Sequence, residues 1–511
     1  MQSLHRVGTL SKISSLFKGS NNWLLYVCIV LLLTSCAASK GYSPESKIPP
    51  AALQKDFQFF RNVLEESHPS LYWFEPKDSI NYYFDLLQNG LTDSITERQF
   101  RTRMNFLLAK IRCGHTVSTY SKRYSKFLDT ANLPLFPLNV KCWKDTMVVT
   151  STLARKSTPL KRGTIIRAIN GIPATNLIDT FFNYINGDGF SDQGRYQYLS
   201  NRGNFGTLYK NVFGLSPYFR IEYIDSVGST QYTTLPVFEP SEDSTQDIQR
   251  MVIRESRGDQ RSLEIDTALN SAYMTVNTFS RGNGIPRFFK RTFKTLRKNN
   301  IRFLVMDVRS NGGGDAGNST MLTRYIANKP FKIADSLYAI RRSSKYSAYI
   351  KWQPMYWIMM TMVTHKGKDD RFHFGYYERH YFSPKKKNHF DGEVYIITGG
   401  NSFSATTLFA QKLKGQHNVH IVGEETGGGS YGNTAWMMPE VTLPETRIRF
   451  RLPKFRLVMD RELVKEGRGV MPDIPASPTV EDIRKGIDVK ADMVHRIILN
   501  KRSSTATTLQ K

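Results

Sequence analysis

Val394-Tyr395-Ile396-Ile397-Thr398-Gly399-Gly400-Asn401-Ser402-Phe403-Ser404, continued by the helix-compatible run from Ala405 to Leu413, decides the fold class. The unbroken apolar, aromatic and β-branched run reads as a buried strand, and the paired glycines as its tight exit. The same order occurs upstream. Ala272-Tyr273-Met274-Thr275-Val276 is strand-like, Arg287 to Lys298 is a basic amphipathic helix, and the apolar strand Ile301 to Val308 ends at Arg309-Ser310-Asn311-Gly312-Gly313-Gly314. Strand, loop and helix in repetition predict an α/β core over residues 243–500, with a largely parallel sheet and its chemistry at the strand C-terminal ends. Residues 315–390 form a long excursion containing Trp352, Met355, Tyr356, Trp357, Met359, Met360 and Met362, a stretch that reads as packing more readily than as a binding lip.

Toward the N-terminus the period changes. Met147-Val148-Val149 reads as a strand, and Leu160 to Gly171 as turn, strand and a tight Asn170-Gly171 hairpin, which predicts a β-rich domain over 131–242. Within it, residues 182–217, rich in Gly, Asn, Tyr and Phe, read as an insertion. Further back, residues 51–74 carry Phe57, Phe60 and Leu64 at helical spacing and stop at His68-Pro69. Thr96 to Arg112 places Phe100, Met104, Leu107, Leu108 and Ile111 on one face, with Gly114 where a C-cap belongs. These helices predict an N-terminal helical domain over 51–130, ending in Cys113-Gly114-His115-Thr116. The polar tail 501–511 reads as disordered.

The chain has 511 residues, 40% of them hydrophobic, with 35 Gly and 22 Pro spread along its length, so disordered, collagenous and small disulfide-stapled classes are excluded. Its formal net charge of +27 would attract polyanions. No nucleic-acid-binding motif accompanies that charge, so no nucleic acid is expected. Residues 1–35 read as an export signal: Arg6, Lys12 and Lys18 precede an apolar run from Trp23 to Leu33 that is too short to span a bilayer. Leu33-Thr34-Ser35-Cys36 resembles the lipobox of bacterial lipoproteins. That resemblance implies a lipidated Cys36, a polar linker over 36–50, and a cell-envelope protein held on a membrane, at its periplasmic or outer-membrane face. Cys113 and Cys142 remain, either paired or as buried free thiols. No clustered Cys/His pattern indicates a metal, and no cofactor motif is present.

Ser404 follows a strand and opens a predicted helix, so free N–H groups would face an anion formed there. An ordinary N-cap serine would occupy the same place. Gly312, Gly313 and Gly314 could bring main-chain N–H groups close to a ligand, or could simply make a turn. His115 could be a base or a satisfied structural residue.

Together these pieces resemble the tail-specific, or C-terminal processing, serine peptidases. The resemblance rests on Cys113-Gly114-His115-Thr116, the PDZ-like stretch ending in Ile169-Asn170-Gly171, Asp307 to Gly314, and Asn401 to Ala405 followed by Ile421-Val422-Gly423-Glu424-Glu425-Thr426-Gly427-Gly428-Gly429. In the branch with a Ser-Lys dyad the base would stand where this chain has Gly429. The sequence therefore resembles the tricorn-type branch, which implies Ser404, His115 and Glu466, the last in Glu466-Gly467-Arg468-Gly469-Val470-Met471-Pro472-Asp473, with Glu462 as the alternative carboxylate. It also implies a ClpP/crotonase-like core, an oxyanion hole from the N–H groups of Ala405 and of Gly312 or Gly313, and a PDZ-like domain that docks polypeptide as an added strand. Glu424 and Glu425 are expected to be structural. The implied function is hydrolysis of peptide bonds in envelope or exported proteins, near C-termini, through an acyl-enzyme. The rival is a peptide-binding envelope scaffold that kept the fold and lost turnover. An α/β-hydrolase esterase is disfavoured because no Gly-x-Ser-x-Gly surrounds Ser404.

Overall fold

A computed structural model describes residues 42–153, 158–240, 260–464 and 466–509, with side chains to Ser503. The leader and Cys36 lie outside the described residues. Residues 44–511 form one compact unit, so the three expected domains are lobes of one body.

The core is a six-stranded sheet in the order Arg261–Asp266, Ser271–Val276, Phe303–Asp307, Glu393–Thr398, Val419–Gly423 and Ile474–Pro475. The first pair is antiparallel and every later pair parallel, so the ends at Val276, Asp307, Thr398 and Gly423 emerge on one side. The helix Ile285–Lys298 turns Phe289, Phe293 and Leu296 onto one face of this sheet and its charges to solvent. Burial of each such side chain is worth about 1.5–3 kcal/mol.

The excursion 315–390 folds into the site. Its strand Ser336–Ala339 pairs antiparallel with Phe455–Val458, which in turn pairs with Gly432–Trp436. The helix Ala405–Leu413 is held between the two sheets, with Phe409, Ala410 and Leu413 in the core cluster and Leu408 in the second. The helix Gln353–Val363, here the apolar helix, contains no charged residue.

The N-terminal helices are Pro50–Ser67, Lys77–Asn89 and Glu97–Ile111. The first is shorter than its expected 51–74 span. The middle one is not legible in the sequence, because only Ile80 and Phe84 of it are buried and the periodic signal is thin. The third begins with a Thr96/Gln99 capping box, and its cap is Arg112 at φ 56°, not the expected Gly114. These helices share one core with Val441, Leu443, Ile448 and Phe450 from the far end of the chain, which is why they are not a separate domain.

The β-rich lobe orders its strands Leu138–Cys142, Met147–Thr152, Ile165–Ile169, Tyr218–Ile224 and Thr230–Pro236. The expected hairpin forms with Asn170 at φ 50° and Gly171 at 81°. Residues 182–217 are not a surface insertion. They form helices Gln193–Ser200 and Asn204–Phe213, which place Leu199, Phe205, Leu208 and Tyr209 in the lobe's core. The former, the bridging helix, lies along Leu138–Cys142: Cys142 N–H donates to Ser200 Oγ at 3.0 Å.

The tail expectation is corrected. The helix Val489–Leu509 runs through residues 501–509, and Lys501 pairs with Glu393 at 2.8 Å. Cys113 and Cys142 are free, buried thiols in different clusters. Among the described residues no helix is long and apolar enough to cross a membrane.

Candidate active site

The loops that leave Asp307 and Thr398 are stitched together before either reaches a functional residue. Ser402 Oγ donates to Val308 O at 2.9 Å, and Phe403 N–H donates to Asn311 O at 3.2 Å. Asn311 is fully buried and bonds Val276 O at 3.0 Å, which fixes the glycine loop to the neighbouring strand end. Gly313, at φ 102°, has no room for a side chain: a Cβ there would lie 2.8 Å from both Ser404 Cβ and Phe403 O.

Ser404 stands at the N-cap of the helix Ala405–Leu413, but its hydroxyl makes no capping bond and its backbone adopts φ 57°, ψ −120°. Such a conformation costs about 1–3 kcal/mol in a non-glycine residue and persists only when neighbours enforce it. The N-cap reading of Ser404 therefore fails. Its side chain instead lines a cavity of about 450 Å³.

His115 is buried, and its ring stacks on Phe403 at 4.7 Å between centroids. Among the described residues neither ring nitrogen has a hydrogen-bond partner, Ser404 included. The structural histidine nearby is His68, whose Nε2 meets Thr116 Oγ1 at 2.7 Å and whose Nδ1 accepts the Ser70 N–H at 3.1 Å. Burial, and then the Arg456 charge, drive His68 down to about 3.

The carboxylate beside His115 is Asp188, not Glu466. Asp188 Oδ1 lies 3.8 Å from His115 Nδ1 and accepts the Gly114 N–H at 2.8 Å, while Oδ2 is buried without a partner among the described residues. Glu466 is exposed on a turn, because the close contact at this point is made by its neighbour: Gly467 O accepts the Phe190 N–H at 2.7 Å. Glu462 is also exposed, its N–H bonded to Asp460. Glu424 pairs with buried Lys490 at 2.7 Å, and Glu425 accepts from Arg468 and from the Gly469 N–H. Burial alone would raise the Glu424 carboxyl, but Lys490 and Lys141 outweigh it and hold the group below its usual range. Asp188 carries no periodic signal in the sequence. The trace it leaves is its setting, Gly187-Asp188-Gly189, where a Cβ on Gly189 would fall 2.3 Å from Gly467 O.

Of the expected oxyanion donors, Gly313 spends its N–H on Asn311 Oδ1 at 2.9 Å, which leaves Gly312 and Ala405 as candidates. The bridging helix packs on the loop that precedes Ser404. Asn201 and Asn401 exchange amide hydrogen bonds of 2.9 and 3.1 Å, and a Cβ on Gly400 would strike Gln193 O at 2.3 Å. Among the described residues no group of three His, Cys, Asp or Glu could hold a metal.

Residues 270–476 match the family described as Peptidase family S41. Among solved structures, mature CPAF complexed with lactacystin aligns at a TM-score of 0.60 and 12% identity, over 88% of this chain and 98% of that one. A substituted form of CPAF aligns at 0.63 and 12%, over 88% and 96% respectively. At these identities the likeness establishes a shared fold alone, a mixed α/β core with additional lobes. No curated protein matches the chain.

Proposed function

Taking the Peptidase family S41 domain at residues 270–476 as premise, we propose that this serine peptidase uses Ser404 as nucleophile, His115 as base and Asp188 as the carboxylate that orients the imidazole. The observation that carries the assignment is Ser404 itself: a strained residue at a helix start, its hydroxyl withheld from capping and opening into a cavity. A serine hydroxyl is too weak a nucleophile near pH 7 without a base. In the reaction Ser404 Oγ bonds to the scissile carbonyl carbon while its proton passes to His115 Nε2. The buried Asp188 carboxylate stabilises the imidazolium from the Nδ1 side. The oxyanion takes the N–H groups of Ala405 and Gly312, at the positive end of the helix Ala405–Leu413. His115 then gives its proton to the leaving amine as the C–N bond breaks, and water releases the acyl group by the same steps reversed. Neither His115 nitrogen is hydrogen-bonded to Ser404 in this structure, so the contact between base and nucleophile forms in the complex with substrate.

The reading extends to processing of exported proteins near their C-termini by an envelope lipoprotein anchored through Cys36, on the strength of the leader and lipobox. A substrate segment would dock on the β-rich lobe. Its edge at Leu138–Cys142 is covered by the bridging helix, whereas Thr230–Pro236 is the outermost strand on the other side. Turnover of an unfolded polypeptide, followed by mass spectrometry of the products, tests the assignment. Cleavage that disappears in Ser404→Ala supports it, and cleavage that survives in that variant contradicts it.

A further inference from the structure

We infer that the cavity beside Ser404 is the pocket that selects the substrate residue on the acyl side of the cut bond, and that it takes a large apolar or aromatic side chain. This rests on Ser404 being the nucleophile.

The nucleophile and Ala405 form one wall of the cavity, so a side chain bound there would belong to the residue whose carbonyl faces Ser404 Oγ. At about 450 Å³ it falls in the range of small-molecule pockets and is far wider than a methyl group needs. Its other walls come from the excursion and the second sheet: Met359 and Val363 of the apolar helix, Phe374, Tyr377, Trp436 and Leu457. The Met and aromatic stretch that reads as packing in the sequence thus has one face on the cavity.

Charge is confined to Arg281 and Asp315, and these already serve each other and the fold. Arg281 Nε pairs with Asp315 Oδ2 at 2.6 Å, with the Arg281 side chain 88% exposed. Asp315 Oδ1 meanwhile accepts the Asn318 N–H at the start of the next helix. A charged substrate side chain would find no free counter-charge in the cavity and would lose its hydration. A small one would leave most of the cavity unfilled. The apolar surface also continues outward along the same helix, where Trp357 is 48% and Met362 79% exposed.

Acylation of Ser404 by peptidyl phosphonates that differ only in the side chain next to phosphorus tests the pocket. A fluorophosphonate without a side chain serves as reference in the same protein. We expect the Phe and Leu probes to react at least about tenfold faster than the Ala probe, and the Asp and Lys probes to be slowest. Ala435 also lines the cavity. Ala435→Phe should therefore reverse the Phe-to-Ala ratio, with each rate taken relative to the reference probe in the same variant. Val363→Ala, which removes volume, should leave Phe favoured and admit still larger groups. Equal rates for Phe and Ala probes, fastest reaction with Asp or Lys, or a ratio unmoved by Ala435→Phe in folded protein would each overturn the pocket while leaving Ser404 the nucleophile. Failure of the reference probe to label Ser404 would overturn both.

Discussion

Asp188 Oδ1 stands 3.8 Å from His115 Nδ1, with the two side chains 4% and 5% exposed. That distance is too long for a hydrogen bond, yet it lets the carboxylate act on a buried imidazolium with little screening by water. Asp188→Asn keeps the shape and the Gly114 contact and removes the charge. It should lower kcat by about a hundredfold or more while KM changes little, the pattern of an interaction made in the transition state. Glu466→Gln, on an exposed turn, should leave kcat close to wild type. Steady-state kinetics of the two variants side by side checks this, and the reverse ranking would assign the orienting role to Glu466.

Gly313→Ala places a methyl group 2.8 Å from Ser404 Cβ at a backbone φ of 102°. The strain should cost about 1–3 kcal/mol of stability. Because the clash falls on the proposed nucleophile, reactivity of Ser404 should fall further than the stability loss accounts for. Thermal unfolding and fluorophosphonate labelling rates, measured on the same preparation, separate the two effects.

The amide pair Asn201–Asn401 ties the β-rich lobe to the loop that presents Ser404. Each bond is worth about 0.5–1.5 kcal/mol net. Asn201→Ala should slow Ser404 labelling by roughly fivefold, the kinetic equivalent of ~1 kcal/mol, with the fold intact by circular dichroism. An unchanged rate would mean that the bridging helix does not position the loop.

His68 is held to about 3 by burial and by Arg456. In the unfolded chain it titrates near 6.5. Between those values the unfolded state binds the additional proton, so this residue makes stability fall as pH drops from about 6.5 toward 3. His68→Gln should lower stability at pH 7 and flatten the decline below 6.5. Urea midpoints across that range check the slope.

Much of the architecture is legible in the sequence where one physical signal dominates. The apolar runs before Gly312 and Gly399 are buried parallel strands because both faces are covered. The helices of residues 193–213 are hidden by their glycine- and tyrosine-rich composition, since their core residues Leu199, Phe205 and Leu208 are too few to set a period. Ser404 and His115 are legible through their loops. Asp188 is not, because it reaches His115 only after two segments more than seventy residues apart fold together, through Gly114 N–H and the Gly189 contact. Glu466 lies on the pattern that sequence resemblance favours, but the turn there directs its carboxylate to solvent.

The central claim is that Ser404 is a nucleophile driven by His115 with Asp188 behind it. Its most direct test is the rate of fluorophosphonate incorporation, read by intact mass and localised by peptide mapping, in wild type, His115→Ala and Asp188→Asn. Stoichiometric labelling at Ser404 that collapses in His115→Ala and slows strongly in Asp188→Asn is the predicted result. Folded wild-type protein that takes up no label, or labels at the same rate in all three forms, contradicts it.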